Sequence, residues 1–211
     1  MTSWHTCSVP KVADPAVRAA LIEHAARITA EEGREALTSR RLATEAGTST
    51  MAVYTYFGGM AELRRELRRE GFARLAAHLD AVEDTGDTVA DLLALGRAYY
   101  RNAVANPNLY RAMFMDPVDE DRGGVGLDTF DHLVRNIERC IAAGRFDRAD
   151  PRRLANQFWA TLHGPVALQL TAMLTPDEVA ACLLDTTRSL PVAFGDSPAA
   201  VARSFERAAA R

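Results

Sequence analysis

Cysteine is scarce in this chain, and so are aromatic side chains. Three cysteines, Cys7, Cys140 and Cys182, stand far apart among 211 residues. An odd number at that spacing offers neither a disulfide framework nor a pair of metal ligands, so incidental thiols in a reducing cytoplasm are expected. Phe, Trp and Tyr make up 7% of the residues, and no stretch alternates polar with apolar residues as a half-buried strand would. Catalytic signatures are missing as well. There is no H-E-x-x-H, G-x-S-x-G, Walker loop or G-x-G-x-x-G, and no two of the five histidines stand at ligand spacing, which excludes the common enzyme classes and implies no cofactor. Asp116, Asp119 and Asp121 faintly follow the pattern of a calcium loop. Leu127 stands where the bidentate Glu belongs, so the stretch reads as a solvated acidic loop without a metal. The opening "MTSWHTCSVPKVAD" lacks the apolar centre of a secretion signal, which points to a cytoplasmic protein.

Long apolar runs are absent with one near miss. Residues 154–176, "LANQFWATLHGPVALQLTAMLTP", carry no Asp, Glu, Lys or Arg, about the length a bilayer requires. Asn156, Gln157, His163, Pro165 and Gln169 lie within it, and each is costly in lipid. A helix buried on most sides is expected instead, one that needs a second surface and so implies a subunit interface.

What is present is a composition for packed helices. Apolar residues reach 48% and charged residues 25%, enough for a sizeable core. Asp14-Pro15 is a helix cap followed by Pro, and Val17, Leu21, Ala25 and Ile28 then recur at helical spacing as far as Gly33. A helix capped by Thr38 or Ser39 stops at Gly47. Another, capped by Ser49, runs to about Phe57 before Gly58-Gly59. A charged helix over about 60–82, one opened by Asp87, a short one over 109–115 and one over 127–143 follow. The charge-free segment comes next, then a helix started by the capping box of Thr175-Pro176-Asp177-Glu178, and a last amphipathic piece near 198–211. The fold class is therefore all-α with nine or ten helices. A small N-terminal arm and three-helix domain over 1–59 precedes a larger helical domain over 60–211.

The net charge of −3 hides an asymmetry. Residues 1–79 hold 11 Lys and Arg against 9 Asp and Glu, and the remainder holds 14 against 19, so an anionic partner is expected at the first third. There the stretch "LTSRRLATEAGTSTMAVYTYFGGMAEL" has the spacing of a helix-turn-helix. Ala43 is small where two backbones meet. Gly47 supplies a positive φ past the first helix, and Leu42, Ala46, Val53 and Phe57 close a small core. Left outside that core are Ser39, Arg40, Thr48, Ser49, Thr50, Met51, Tyr54, Thr55 and Tyr56. Short hydroxyls near a helix N-terminus, flanked by Tyr long enough to reach a phosphate, suit the major groove of double-stranded DNA.

These residues resemble the N-terminal DNA-binding segment of TetR/AcrR-type transcriptional regulators, whose pattern is a Thr-initiated helix, "IA..AGVS", then "LY.HF..K..L". Thr48 stands where that pattern has Val, and Met60 stands in place of a phosphate-contacting Lys. "FWATLHGPVALQL" and "NPNLYRAMF" further resemble a Trp/His-Gly C-terminal subclass of the same family. The resemblance implies a homodimer, here through the 154–176 and 177–192 helices, on a pseudo-palindromic operator. It also implies a repressor whose DNA binding a small molecule relieves, with the 60–82 helix as the lever. Tyr99, Met113, Phe114, Phe130, Phe158, Trp159, Leu162 and His163 are the candidate pocket residues for a largely hydrophobic effector, with a kink expected at Gly164-Pro165. The alternative is a ligand-binding helical dimer that has lost DNA binding.

Overall fold

The computed structural model describes residues 14–115 and 126–209. Cys7, the N-terminal arm and the acidic loop with Asp116, Asp119 and Asp121 lie outside the described residues. Ten α-helices are found among the described residues and no strand. They are α1 (Pro15–Glu32), α2 (Ser39–Glu45), α3 (Thr50–Phe57), α4 (Met60–Asp80), α5 (Thr88–Ala105), α6 (Pro107–Phe114), α7 (Leu127–Ala142), α8 (Pro151–Leu170), α9 (Pro176–Ala193) and α10 (Pro198–Ala209), with one turn of 3₁₀ helix at Arg34–Ala36.

Most starts are written in local chemistry. Asp14, Thr38, Ser49, Asp87 and Asp150 each accept a hydrogen bond from a first-turn N–H of the helix that follows, satisfying one otherwise orphaned donor apiece. Thr175 and Glu178 form the reciprocal capping box expected of them. Pro lies in the first turn of α1, α6, α8 and α9, where its fixed φ suits the helix and its missing N–H costs nothing. That is also why α6 begins at Pro107 rather than at Leu109.

The chain divides into two compact units, one ending at Leu67 and one beginning at Arg68. The division falls within α4, about two turns past the Gly58-Gly59 break. In the first unit α1 buries Leu21, Ile22, Ala25, Ala26 and Ile28, while Leu42, Ala43, Val53, Phe57, Leu63 and Leu67 supply the rest of the core. Ala46 is only half-buried, so Ala43 rather than Ala46 is the small residue at the centre.

In the second unit α5 is the axis. It packs against α6, α7, α8 and α10, and α8 packs in turn on α7 and α9. An ionic clasp ties its start to distant chain. Asp87, the α5 cap, also accepts from the buried Ser204 hydroxyl of α10 at 2.9 Å, and Arg145 bridges Asp87 at 3.0 Å to Asp196 at 2.6 Å.

One expectation about the charge-free segment needs correction. The helix does not extend over 154–176. It starts at Pro151, includes Arg152 and Arg153, and stops at Leu170. Thr171 turns its hydroxyl back onto the Ala167 carbonyl, Ala172 adopts a left-handed φ of 57°, and the Met173 N–H closes the turn on the Leu168 carbonyl. Arg111 donates to the Leu170 carbonyl, taking up one of the terminal acceptors. The helix runs on through Gly164-Pro165. No described helix is long and apolar enough to cross a membrane.

Candidate nucleic-acid interface and cavity

In the first unit, α2 and α3 are joined by a turn whose geometry depends on Gly47. Its φ is +61°, a left-handed conformation nearly free for Gly. The Thr48 N–H then reaches the Ala43 carbonyl at 2.9 Å and the Gly47 N–H the Thr44 carbonyl at 3.3 Å. Ser49 follows in extended conformation and caps α3 through the Ala52 N–H.

That turn places most of the candidate residues outward. Arg40, Ser49, Thr50, Met51, Tyr54 and Thr55 are exposed, and Ser39, Thr48 and Tyr56 are half-buried. Met51 retains 70% of its surface and Tyr54 51%, high values for large side chains on a helix whose Val53 and Phe57 are fully enclosed. Two of these hydroxyls already donate within the protein. Thr55 donates to the Met51 carbonyl one turn back at 2.9 Å, which leaves its methyl as the free group. Tyr56 donates to the Asp14 carbonyl at 3.1 Å, tying α3 to the start of α1.

Several nearby cations are committed to carboxylates. Arg27 pairs with Glu31 and Glu45, Arg41 with Glu32 and Glu45, Arg65 with Glu62, and Arg18 with Glu66. The Arg41 hydrogen bond leads the influences that hold the Glu45 carboxyl below its ordinary value. Arg40 is exposed with no such partner among the described residues, and the Arg64 Nε is enclosed without an acceptor. Of Arg40, Arg64 and Arg65, the candidates to stand in for the missing Lys at Met60, Arg40 and Arg64 are therefore unspent and Arg65 is not.

In the second unit a cavity of about 300 Å³ lies among α4, α5, α6, α7 and α8, at the lower end of the range for small-molecule sites. Seven of the eight candidate residues line it: Tyr99, Met113, Phe114, Phe130, Phe158, Trp159 and Leu162. His163 does not. Its Nδ1 is held behind the wall, 3.0 Å from the Tyr99 hydroxyl and 2.7 Å from that of Tyr110.

Tyr110 is the residue that sequence reasoning missed. It is wholly buried, its hydroxyl stands 2.7 Å from that of Tyr99, and its ring is 4.8 Å from Phe114 and 5.6 Å from His163. The Tyr110–Phe114 pair, four residues apart on one helix, was the available signal. Proton bookkeeping assigns the network. Burial depresses the His163 pKa below 6.5, so the ring is neutral at pH 7. Trp159 Nε1 can only donate, and it reaches the Tyr99 oxygen at 3.2 Å. Every remaining hydroxyl proton finds an acceptor only when His163 Nδ1 accepts. Tyr99 then donates to Tyr110, and Tyr110, at the shorter distance, to His163. Burial pushes the Tyr99 hydroxyl up to about 12 and raises that of Tyr110 as well, so neither proton leaves near neutrality.

Among the described residues no group of His, Cys, Asp and Glu is arranged to hold a metal ion. Cys140 is buried with its thiol directed at the Thr88 carbonyl, and burial pushes its pKa up to about 11. Such a thiol is inert.

Comparisons with known proteins agree with this arrangement at both ends of the chain. Residues 21–67 match the family model described as "Bacterial regulatory proteins, tetR family", and residues 92–190 match "Tetracyclin repressor-like, C-terminal domain". HTH-type transcriptional regulator Rv0681 of Mycobacterium tuberculosis is 27% identical over 180 residues, covering 84% of this chain and 82% of its own. Rv1816 of the same species, another HTH-type transcriptional regulator, is 32% identical over 120 residues, or 54% of this chain and 50% of its own. The crystal structure of a bacterial regulatory protein in the tetR family from Rhodococcus RHA1 superimposes with a TM-score of 0.72 at 18% identity, over 87% of this chain and 100% of that one. A helix-turn-helix with an outward hydroxyl-rich second helix, followed by a helical unit around a cavity and matched by family at both places, identifies this chain as a member of the TetR family of helix-turn-helix transcriptional regulators, which are not enzymes.

Proposed function

We propose that this regulator is a repressor that binds a pseudo-palindromic operator as a homodimer and is released by a small, largely hydrophobic effector in the second-unit cavity. The observation that carries the DNA-reading half is the exposure of Met51 and Tyr54 beside the cap of α3. In this reading α3 enters the major groove. Ser49, Thr50 and the free N–H groups of its first turn meet phosphate, and Met51 and the Thr55 methyl meet base edges. Tyr54 and Arg40 reach the backbone from the flanks.

Dimerisation through α8 and α9 is supported by their outer faces. Asn156, Ala160 and Leu168 on α8, and Ala180, Leu184 and Val192 on α9, are exposed in the single chain. Small and apolar side chains in such rows suit an isologous four-helix seam. Effector binding would shift the population toward a state that fits DNA poorly, with a coupling on the order of 1–3 kcal/mol. The carrier is α4, which begins in one unit and ends in the other.

Selection of bound sequences from a random DNA pool, followed by salt titration of the winner, tests the reading. An enriched inverted repeat is expected, with affinity falling steeply between about 50 and 200 mM salt. Tyr54→Phe should weaken all sequences alike, whereas Met51→Ala should change base preference. Failure to enrich any sequence would favour the second reading, a ligand-binding dimer without DNA affinity. The pairing of Arg18, Arg27, Arg41 and Arg65 with carboxylates is the observation on that side.

A further inference from the structure

Among the described residues the cavity wall is largely apolar and carries one charged side chain, that of Arg68. Arg68, Phe72, Leu75 and Leu79 line it from α4, at spacings of four, three and four that put them on one face of the helix. At 1.5 Å per residue that stripe runs for about 16 Å, with a guanidinium at one end and two leucines at the other. Among the described residues no Asp or Glu lines the cavity. The Arg68 Nε is shut away from solvent and has no hydrogen-bond partner among the described residues. In this it differs from Arg74 on the same helix, which is held by Glu70 and Asn106.

A second positive feature lies at the same end. The cap of α7, Gly126, packs so tightly on Phe72 that a Cβ there would sit 2.5 Å from its ring, and Phe72 is one turn from Arg68. Gly126, Leu127 and Thr129 of this helix start all line the cavity, and no side chain caps it. The unbonded N–H groups and the dipole of a helix start favour negative charge. A guanidinium supplies a planar fork that matches a carboxylate.

We infer that the effector is an amphipathic monocarboxylate, whose headgroup is held by Arg68 and the start of α7 and whose apolar body lies along Phe72, Leu75 and Leu79. One cation balances one negative charge, and among the described residues no other charged side chain reaches the wall to accept a dianion. The inference rests on the proposed use of this cavity for an effector and adds the charge and position of its head.

The test uses the full chain and reads the fluorescence of a bound dye. A neutral apolar dye, N-phenyl-1-naphthylamine, is bound first and displaced by decanoate or by decan-1-ol. Decanoate is expected to displace it at least tenfold more effectively. Arg68→Met should abolish that preference while leaving decan-1-ol unchanged, and Arg68→Lys should restore part of it. Leu133→Trp, which fills the cavity, should remove binding of all three probes. If the dye binds and is lost in Leu133→Trp, but decanoate is no better than decan-1-ol, the carboxylate assignment is overturned and the apolar cavity stands. A preference that survives in Arg68→Met overturns the role of Arg68. If the dye does not bind, or Leu133→Trp leaves binding intact, the cavity itself is not the effector site and both readings fall.

Discussion

Replacing Tyr110 by Phe removes one oxygen from the network behind the cavity wall, yet strands no partner. The Tyr99 hydroxyl already lies 3.0 Å from His163 Nδ1 and can turn its proton there once Tyr110 is gone. The expected loss is that of a single internal hydrogen bond, about 1 kcal/mol. In Tyr99→Phe the Tyr110 hydroxyl still serves His163 at 2.7 Å, and only the Trp159 N–H, which is half-buried, loses its acceptor. Another loss of about 1–2 kcal/mol is expected. The double variant differs in kind, because no donor remains for the imidazole, and a buried acceptor without a partner costs about 1–3 kcal/mol more. The double variant should therefore lose more than the sum of the singles, by about 1–3 kcal/mol, within the span usual for contacting residues. Urea unfolding at one fixed protomer concentration, at pH 8 where the ring is neutral, measures this. Additivity to within about 0.3 kcal/mol would refute the shared-acceptor arrangement.

The pH dependence has a definite sign. The folded His163 pKa lies below 6.5, so protons favour the unfolded chain, and stability should decline as pH falls below 6.5 toward the folded value. His163→Gln should flatten that part of a stability-against-pH curve. Burial opposes ionisation of Asp87, but the Ala90 N–H, the Ser204 hydroxyl and Arg145 outweigh it and hold the carboxyl below 3.8. Its contribution should be complete above 3.8 and vanish as pH drops through the lower folded value, a loss absent from Asp87→Asn. Arg145→Met leaves the buried Asp87 and Asp196 without their shared cation and should cost about 3–5 kcal/mol in urea unfolding. Gly47→Ala meets no neighbour within 4 Å, so only its φ of +61° is penalised. A loss of about 1 kcal/mol is expected, with Gly47→Asn losing less because Asn tolerates that region; equal losses would show that another constraint acts at the turn.

The parts of this fold legible in the sequence are those whose chemistry is local. Asp14-Pro15, Ser49 and Thr175-Pro176-Asp177-Glu178 each determine their helix start within four residues, and Gly47 determines its turn from its own backbone. The candidate cavity residues were legible because large apolar side chains on facing helices have few other places to go. Tyr110 was not, since its role depends on α6 lying beside α8, 53 residues away in the chain. Arg68 was hidden for the opposite reason: within "RRELRRE" it is indistinguishable from its solvated neighbours until the helix is packed. The end of α8 was misread because absence of charge continues beyond Leu170, whereas the helix is closed by the back-bonding Thr171 and the left-handed Ala172, which carry no strong sequence mark.

The clasp at Asp87 sets a schedule for synthesis. Ser204 lies 117 residues downstream of the carboxylate it bonds, and Arg145 and Asp196 arrive in between. While the chain is being made, the first turn of α5 carries a negative charge that must stay wet, because its partners have not yet been translated. The clasp is complete only once residue 204 has emerged, so a product cut short before α10 would lack the Ser204 donor at the root of that axis.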